Sequence, residues 1–267
     1  MQLINQIKMD LIDTHCHLNF ATFRDNYFDV ALRAKKSGVK KIIIVGADSQ
    51  TSEHAVKICH EINLKLGRFA FAAVGIHPTH TDRIDFPQIE NLADDPLVVA
   101  IGETGFDFYH DKEKVTINKQ RELFDLHIKL SKKLSKPLII HNREADDEVF
   151  KLLSENDFPK GVFHCFSSDY SFAETVIKSG YMISFTGNIT YGNKKLKKVI
   201  QRIPLEKIMI ETDSPYILPE PLRLQSDMDN EPANVFYIAK KIALIKDKDE
   251  NLVAKQTAEN ACNFFNI

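Results

Sequence analysis

The chain has 267 residues with 35 basic and 37 acidic side chains, so its formal net charge of -2 excludes the strongly basic character of a dedicated DNA-binding domain. Hydrophobic residues make up 43% of the sequence, which is enough for a large core. The length could hold two small domains, but no linker divides it, and it suits one α/β barrel of roughly 250 residues. Any contact with nucleic acid is therefore expected to be local.

The cysteines and the amino terminus bear on the cellular compartment. The 4 cysteines are scattered without a Cys-x-x-Cys pair, as is typical of reduced thiols in the cytosol. Residues 1–10 lack the apolar core of a signal peptide, and no run approaches the ~18 apolar residues of a membrane span. These features predict a cytoplasmic protein without membrane contact, and no obligate protein partner is evident.

Strand-like and helix-like patterns alternate along the whole chain. Apolar runs predict strands at Leu11–Thr14, Lys41–Val45, Phe69–Val74, Val98–Ile101, Pro137–Ile140, Gly161–Phe163, Met182–Phe185 and Lys207–Ile210. Amphipathic stretches predict helices at Tyr27–Ser37, Ser52–Lys65, Asn118–Leu134, Ala145–Ser154, Ser171–Ser179, Lys194–Ile200, Ala233–Ile245 and Glu250–Phe264. Such alternation favours parallel strands, and closure into a (β/α)8 TIM barrel, a single domain over residues 1–267, leaves no exposed edge. An open doubly wound sheet is the alternative.

Polar residues that can bind metal stand at the ends of several predicted strands. His15 and His17 should point to one side of their strand, with Cys16 on the other, because side chains alternate along an extended chain. The same alternation predicts that Cys165 turns away from its neighbour His164. The carboxyl ends of all barrel strands meet at one rim. We therefore expect seven side chains to converge there: His15, His17, His77, Glu103, His141, His164 and Asp213.

The residue types in this set favour a pair of metal ions. Imidazole and carboxylate suit Zn, Mn and related divalent ions, and Glu103 can bridge two ions where a histidine cannot. Two ions roughly 3.5–4 Å apart stabilise both the attacking and the leaving oxygen of a phosphoryl displacement. The residues alone thus predict a dimetal hydrolase. For each histidine the alternative is a structural role. That role fits better for the five histidines outside the set, His54, His60, His80, His110 and His127, although His80 is ambiguous. His60 and His127 are expected to be half-buried or exposed.

Seven short motifs occur in order over nearly the whole chain: Asp13–His17, Gly75–Pro78, Ile101–Gly105, Pro137–His141, His164–Ser167, Glu211–Pro215 and Asn230–Pro232. Together they resemble the TatD family of metal-dependent deoxyribonucleases, within the amidohydrolase-like TIM barrels. The resemblance implies two divalent metal ions (Mg, Mn or Zn) held by His15, His17, Glu103, His141, His164 and Asp213.

The resemblance also implies a division of roles within this set. His15 and His17 would share the first ion with Asp213, Glu103 would bridge to the second ion, and the other two histidines would complete the second site. Asp213 would be the general base that orients or deprotonates water. Asp213 and Glu103 are therefore the catalytic candidates.

Candidates for binding the substrate phosphate surround the predicted metals. His77 is one, and Arg143 is another because its planar guanidinium can grip phosphate oxygens in two places. A salt bridge from Arg143 to Glu144, Asp146 or Asp147 is an equally good interpretation.

The loop at residues 222–229 departs from the family pattern. The family usually has an Arg-Gly pair in this loop. Here Arg223 can take the role of the arginine in binding substrate, but the glycine is absent. Asp227 and Asp229 add negative charge. This departure bears on the choice of substrate and leaves the predicted metal ligands intact.

The leading prediction is a divalent-metal-dependent deoxyribonuclease, an exonuclease that cleaves phosphodiester bonds with a metal-activated water. DNA is the expected partner, with RNA or tRNA as alternatives. A metal-dependent esterase or amidase, such as an aminoacyl-tRNA deacylase, would use the same ligands. A catalytically silent barrel that acts as a binding protein is a third interpretation, but six converging polar groups are costly without a catalytic use. The basic run at residues 194–198 is typical of a solvated helix face.

Overall fold

The computed structural model describes residues 9–82, 85–113, 115–157, 159–225 and 228–267, and its strands form one parallel eight-stranded sheet in the order β1 to β8. The strands are β1 (Leu11–Cys16), β2 (Val39–Val45), β3 (Ala70–Val74), β4 (Val98–Asp107), β5 (Leu138–Arg143), β6 (Gly161–Phe163), β7 (Met182–Phe185) and β8 (Ile208–Ile210).

The sheet closes where the chain beyond β8 pairs with the end of β1. The amide of Asp213 donates to the carbonyl of His15 at 2.9 Å, and the amide of His17 donates to the carbonyl of Ser214 at 2.8 Å. Below these bonds, the carboxylate of Asp13 accepts hydrogen bonds from the amide and the hydroxyl of Thr212 at 2.9 and 2.6 Å. The predicted (β/α)8 TIM barrel is confirmed.

Helices follow the strands around the outside of this barrel. In the described part of the chain they are α1 (Tyr27–Lys36), α2 (Ser49–Leu66), α3 (Phe86–Leu92), α4 (Ile117–Leu134), α5 (Asp146–Glu155), α6 (Tyr170–Lys178), α7 (Lys194–Arg202), α8 (Val235–Lys246) and α9 (Glu250–Phe265). Each predicted helix is present with small shifts at its ends, and α3 was missed. Asp85 caps α3 by accepting the amide of Gln88 at 3.4 Å, and a proline lies in the first turn. Within the described ranges, no helix is both long and apolar enough to cross a membrane.

Strand β4 is longer than the sequence pattern predicts. The segment after Ile101 resembles a loop because of its two glycines, yet the strand continues to Asp107. A Cβ atom at Gly102 would lie 2.5 Å from the carbonyl oxygen of Ile139, and one at Gly105 would lie 2.0 Å from that of His141. Glycine at both positions therefore lets β4 approach β5 closely.

The register between β4 and β5 shifts at the same place. Ile101 pairs with Leu138 and Thr104 pairs with Ile140, so β4 has one extra residue between these pairs. A bulge of this kind bends the strand and redirects a side chain. Here it lies at Gly102 and Glu103.

The barrel interior is filled by apolar side chains. Ile43 and Val45 of β2 point into it, whereas Ile42 and Ile44 pack outward under the helices. Phe264 and Phe265 of α9 join the interior cluster together with residues from the early parts of the strands. The interior near the amino ends of the strands is therefore packed, and the opposite rim is left for polar groups.

His127 of α4 has a structural role, but it is fully buried, with 0% exposure, rather than half-buried or exposed as expected. Its Nδ1 donates to the carbonyl of Leu123 at 2.7 Å, and its Nε2 accepts the amide of Ile76 at 3.0 Å. Both bonds require the neutral ring. Burial lowers the pKa of His127 from 6.5 to about 4.

This histidine should make the fold less stable in mild acid. Its pKa in the folded protein lies below the unfolded value, so the unfolded chain takes up a proton first as the pH falls from 6.5 towards 4. We expect His127 to reduce the free energy of unfolding by about 2 kcal/mol between pH 7 and 5. Urea titrations in EDTA should show a weaker pH dependence for His127→Gln than for wild type. A pH dependence in His127→Gln equal to that of wild type would contradict the expectation.

Candidate metal centre

All seven candidate side chains from the strand ends meet at the carboxyl rim of the barrel. Ligand-type atoms form groups of three that lie within 4.8 Å of one another. Two of these groups contain only predicted metal ligands, namely His15, His17 and Asp213 in the first triad and Glu103, His141 and His164 in the second triad. Strands from opposite ends of the sequence thus supply one cluster.

The first triad has the spacing of ligands around a single ion. Nε2 of His15 lies 3.2 Å from Nε2 of His17, and Oδ1 of Asp213 lies 3.7 and 3.4 Å from these two nitrogens. Ligand atoms at the corners of a tetrahedron with zinc-type bonds are ~3.3–3.6 Å apart. Nδ1 of His17 donates to the carbonyl of Val45 at 2.8 Å, which leaves the Nε2 lone pair directed at the cluster.

Glu103 joins this triad to the second one. Its Oε1 lies 2.7 Å from Nδ1 of His141 and 2.6 Å from Nε2 of His164, and these two nitrogens are 3.2 Å apart. Its Oε2 lies 3.4 Å from Nε2 of His15. Each carboxylate oxygen therefore faces a different triad, which is the arrangement that a bridging ligand requires.

The buried ionisable groups in the cluster shift one another's pKa values. Burial alone would raise the pKa of Glu103, but His164, His77 and His141 hold it well below its usual value. Burial alone would lower the pKa of His164, but Glu103 raises it well above the usual value. Glu103 is thus an anion at neutral pH. A divalent cation has to displace the proton shared by this pair, so its binding should release protons.

Asp107, which the sequence analysis did not assign, holds His141 in place. The aspartate is 1% exposed, and its Oδ2 accepts from Nε2 of His141 at 3.0 Å and from Nδ1 of His110 at 2.9 Å. Burial opposes ionisation, but the bonds from these two histidines lower the pKa of Asp107. The carboxylate thereby fixes the ring so that Nδ1 faces Glu103. Strand alternation was an available signal, because Asp107 follows Glu103 by four residues on β4.

Glu211 is a second buried carboxylate whose role the sequence pattern does not predict. Its Oε1 accepts the amide of Cys165 at 2.6 Å and lies 3.6 Å from Nδ1 of His164, while Oε2 accepts from the Thr14 hydroxyl at 3.3 Å. Glu211 therefore stands behind His164, on the side away from Glu103.

Replacing Asp107 by asparagine should weaken metal binding by about 10- to 100-fold, the usual effect of losing a carboxylate behind a histidine ligand. The physical reason is that a neutral amide supports the ring of His141 less strongly. Competition against a chelator measures the affinity, and circular dichroism monitors the fold. Asp29→Asn, at an exposed position in the first turn of α1, is the matched control. Wild-type affinity in Asp107→Asn would show that this bond does not support the ligand.

His77 lies closer to the cluster than a peripheral phosphate contact would. Its Nε2 is 3.5 Å from Oε1 of Glu103 and 3.2 Å from Nδ1 of His141, and its Nδ1 is 2.7 Å from the hydroxyl of Thr79. Burial lowers the pKa of His77 to about 4, so the ring is neutral near pH 7. Its role in binding substrate stays a prediction.

Arg143 and Arg223 lie on exposed parts of the chain, each over an aromatic ring. The guanidinium carbon of Arg143 is 4.1 Å from the ring centre of Tyr109, and that of Arg223 is 4.2 Å from the ring centre of Tyr191. The Oδ1 of Asp146, a predicted alternative partner of Arg143, accepts instead from Asn142 and Ser168, both at 2.6 Å.

Arg223 also forms an ion pair within its own part of the chain. Nη2 of Arg223 donates to Glu220 at 3.1 Å. Asp227 lies outside the described residues, and Asp229 is exposed. Substrate binding by Arg143 and Arg223 remains a prediction.

The two cysteines beside ligand histidines differ in surroundings. Cys16 is buried on the outer side of β1 with its Sγ 3.4 Å from the carbonyl of Ile43, as strand alternation predicts. Cys165 instead lies in a turn after β6 with φ of 43°, so alternation does not set its direction. Its Sγ lies 3.5 Å from the hydroxyl of Thr186.

Comparison with known proteins agrees with this geometry. The family described as TatD related DNase matches residues 12–266. The Bacillus subtilis (strain 168) protein named "Uncharacterized metal-dependent hydrolase YabD" is 37% identical over 265 residues, covering 96% of this chain and 99% of its own length.

A zebrafish (Danio rerio) protein, tatdn3, whose name proposes a deoxyribonuclease activity for it, is 30% identical and covers 95% of this chain and 96% of itself. The crystal structure of YJJV, a TatD homologue from Escherichia coli K12, superposes with a TM-score of 0.86 at 27% identity and covers 96% of this chain and 98% of that one. The chain therefore belongs to the TatD-related DNase family of metal-dependent hydrolases.

Proposed function

We propose that the protein is a deoxyribonuclease that uses two divalent ions to hydrolyse phosphodiester bonds at the end of a DNA strand. The observation that carries the proposal is the position of Glu103, whose two oxygens face separate triads of ligand atoms. The family description and the name of the zebrafish relative support DNA as the substrate.

The residues present fit such ions. His15, His17 and Asp213 would hold the first, His141 and His164 the second, and Glu103 both. When bound, divalent ions at these positions would neutralise negative charge on the phosphoryl oxygens and lower the pKa of a nearby water. The four imidazoles and two carboxylates of this set suit Zn or Mn, and the carboxylates of Glu103 and Asp213 are donors that Mg also accepts.

Asp213 is the group best placed to handle the proton of the attacking water. Its side chain is 14% exposed, so solvent and substrate reach it, whereas His15 beside it is fully buried. Burial would raise the pKa of Asp213, but His17 and His15 lower it. The side chain is thus a carboxylate at neutral pH that can orient water and accept its proton.

Substrate positioning falls to side chains around the cluster. His77 offers a neutral ring beside Glu103, and Arg143 offers the planar guanidinium that suits two phosphate oxygens. With a net charge of -2 the molecule as a whole does not attract DNA, so these local contacts should determine binding.

End-labelled single-stranded DNA tests the proposal directly. Wild-type protein with Mg or Mn should shorten the labelled strand one nucleotide at a time, and EDTA should stop the reaction. Labelling the two ends in separate experiments gives the polarity. Glu103→Ala purified in parallel controls for contaminating nuclease, and equal degradation by this variant would refute the proposal.

Two further measurements address the finer parts of the proposal. Elemental analysis of protein purified without added metal should find two divalent ions per chain and identify them. Mischarged aminoacyl-tRNA serves as the competing substrate, because deacylation would use the same ligands. Hydrolysis of the aminoacyl ester without cleavage of DNA would replace the nuclease by a deacylase.

A further inference from the structure

A groove beside the first triad is formed by the loops that follow β1 and β8, by the start of α2 and by the segment after β3. Its volume is about 700 Å³, and Phe20, Arg24 and Tyr216 are among the residues that line it. Both aromatic residues are tied to the metal centre. The ring of Phe20 stacks on that of His17 with centroids 4.2 Å apart and an angle of 13°. The amide of Tyr216 donates to the carbonyl of Asp213 at 2.9 Å.

The two aromatic rings form an open corner. Their centroids are 6.5 Å apart at 68°, so they are nearly perpendicular rather than packed face to face. Tyr216 is 54% exposed, which is unusual for a large ring placed next to a cluster of buried polar groups. A flat ligand entering this corner would gain contact with an aromatic surface directly beside the first triad.

The backbone that carries Tyr216 is held firmly. Asn230 is fully buried, and its Nδ2 donates to the carbonyls of Tyr216 and Thr212 at 2.8 and 3.0 Å. The amide of Asn230 in turn donates to the carbonyl of Pro215 at 3.0 Å. The backbone at Tyr216 is therefore fixed, which places its ring at the edge of the groove.

The charge of the groove suits an anionic ligand. Among the described residues that line it, Arg24 is cationic and none is a carboxylate. The two histidines in the lining are fixed by the backbone, since Nδ1 of His54 donates to the carbonyl of Asn19 at 2.7 Å and Nδ1 of His80 donates to that of Ala47 at 2.9 Å. A flat, uncharged ring attached to a phosphate would match both the aromatic corner and the arginine.

We propose that Phe20 and Tyr216 form a stacking site for one nucleobase, that of a nucleotide adjoining the reacting phosphate, with Arg24 contacting a neighbouring phosphate. This inference rests on the proposed nuclease function and names a binding position within it. Every base offers a π face to an aromatic side chain, so the site should accept all four bases alike. The site therefore adds affinity for the strand without sequence specificity.

Tyr216 is the position at which to test the site, because Phe20 packs on a proposed metal ligand. Tyr216→Leu removes the aromatic face and keeps apolar volume, whereas Tyr216→Phe keeps the face. We expect the KM for single-stranded DNA to rise about tenfold in Tyr216→Leu, with kcat within about twofold of wild type. Tyr216→Phe should behave as wild type.

Oligonucleotides that lack one base make the test specific. A tetrahydrofuran residue is placed in turn at each of the last three nucleotides. At one of these positions the loss of the base should raise the KM of wild type about tenfold but leave that of Tyr216→Leu unchanged. If the missing base weakens wild type and Tyr216→Leu equally at all three positions, the stacking site is refuted. A defect in Tyr216→Phe equal to that in Tyr216→Leu would also refute it.

Binding in EDTA provides a readout that is independent of catalysis. An oligonucleotide with 2-aminopurine at the position found above should lose fluorescence when bound to wild type, and its Kd should be about tenfold weaker for Tyr216→Leu. Quenching without cleavage of any oligonucleotide would refute the nuclease proposal and support the stacking site. Cleavage of DNA with the same Kd and KM for wild type and Tyr216→Leu would support the nuclease proposal and refute the stacking site.

Discussion

Replacing Glu103 by glutamine should lower kcat/KM for DNA by at least about a thousandfold, a loss of ~4 kcal/mol of transition-state stabilisation. Glutamine has nearly the same shape, but it carries no charge and has one oxygen instead of two. The carboxylate that it replaces is 4% exposed and faces His15 through one oxygen and His141 and His164 through the other. Loss of the bridge should also reduce the metal content from two ions to at most one.

The measurements for this prediction are steady-state kinetics and elemental analysis on the same preparations. Glu174→Gln, on α6 and paired with Lys178 at the surface, is the matched control and should retain full activity and both ions. Near-wild-type turnover by Glu103→Gln with two bound ions would contradict a bridging role.

Asp213→Asn should lower kcat by about 100- to 1000-fold, the range expected when a general base is removed. Asparagine keeps an oxygen near the first triad but cannot accept the proton of the attacking water. Because the pKa of Asp213 is already lowered by His17 and His15, the loss should be the same throughout the neutral range. Steady-state kinetics near neutral pH, with the metal content measured on the same preparations, provide the test.

Asp229→Asn controls for a charge change in the same loop, because Asp229 is exposed. Loss of kcat with two ions retained assigns the defect to proton transfer, and loss of an ion assigns it to ligation by Asp213. Unchanged kcat at full metal occupancy would contradict both roles.

The sequence was sufficient to predict the barrel and the convergence of the cluster because both follow from periodicity. Short apolar runs alternate with amphipathic helices, and a barrel takes the end of each strand to one rim. His15 and Asp213 could thus be placed together across nearly two hundred residues without knowledge of any contact between them.

Other features depend on register and close approach, which spacing along the chain does not encode. The two glycines of β4 resemble a strand end and instead allow tight pairing with β5. The bond between Asp107 and His141 depends on how these two strands are aligned. The full burial of His127 depends on packing between α4 and the segment after β3. The corner between Phe20 and Tyr216 arises from two loops that meet only in the closed barrel.

The closure of β8 on β1 has a consequence for how the protein acquires its metals. His15 and His17 precede Asp213 by nearly two hundred residues, and Asp213 reaches them only when the last strand pairs with the first. Contacts of such long sequence separation form late in folding, since a large loop must close first. A cation held between these residues stabilises only the closed barrel. A nascent chain that has not yet been made past Asp213 therefore lacks the first triad, so binding of the proposed first ion would be coupled to completion of the barrel.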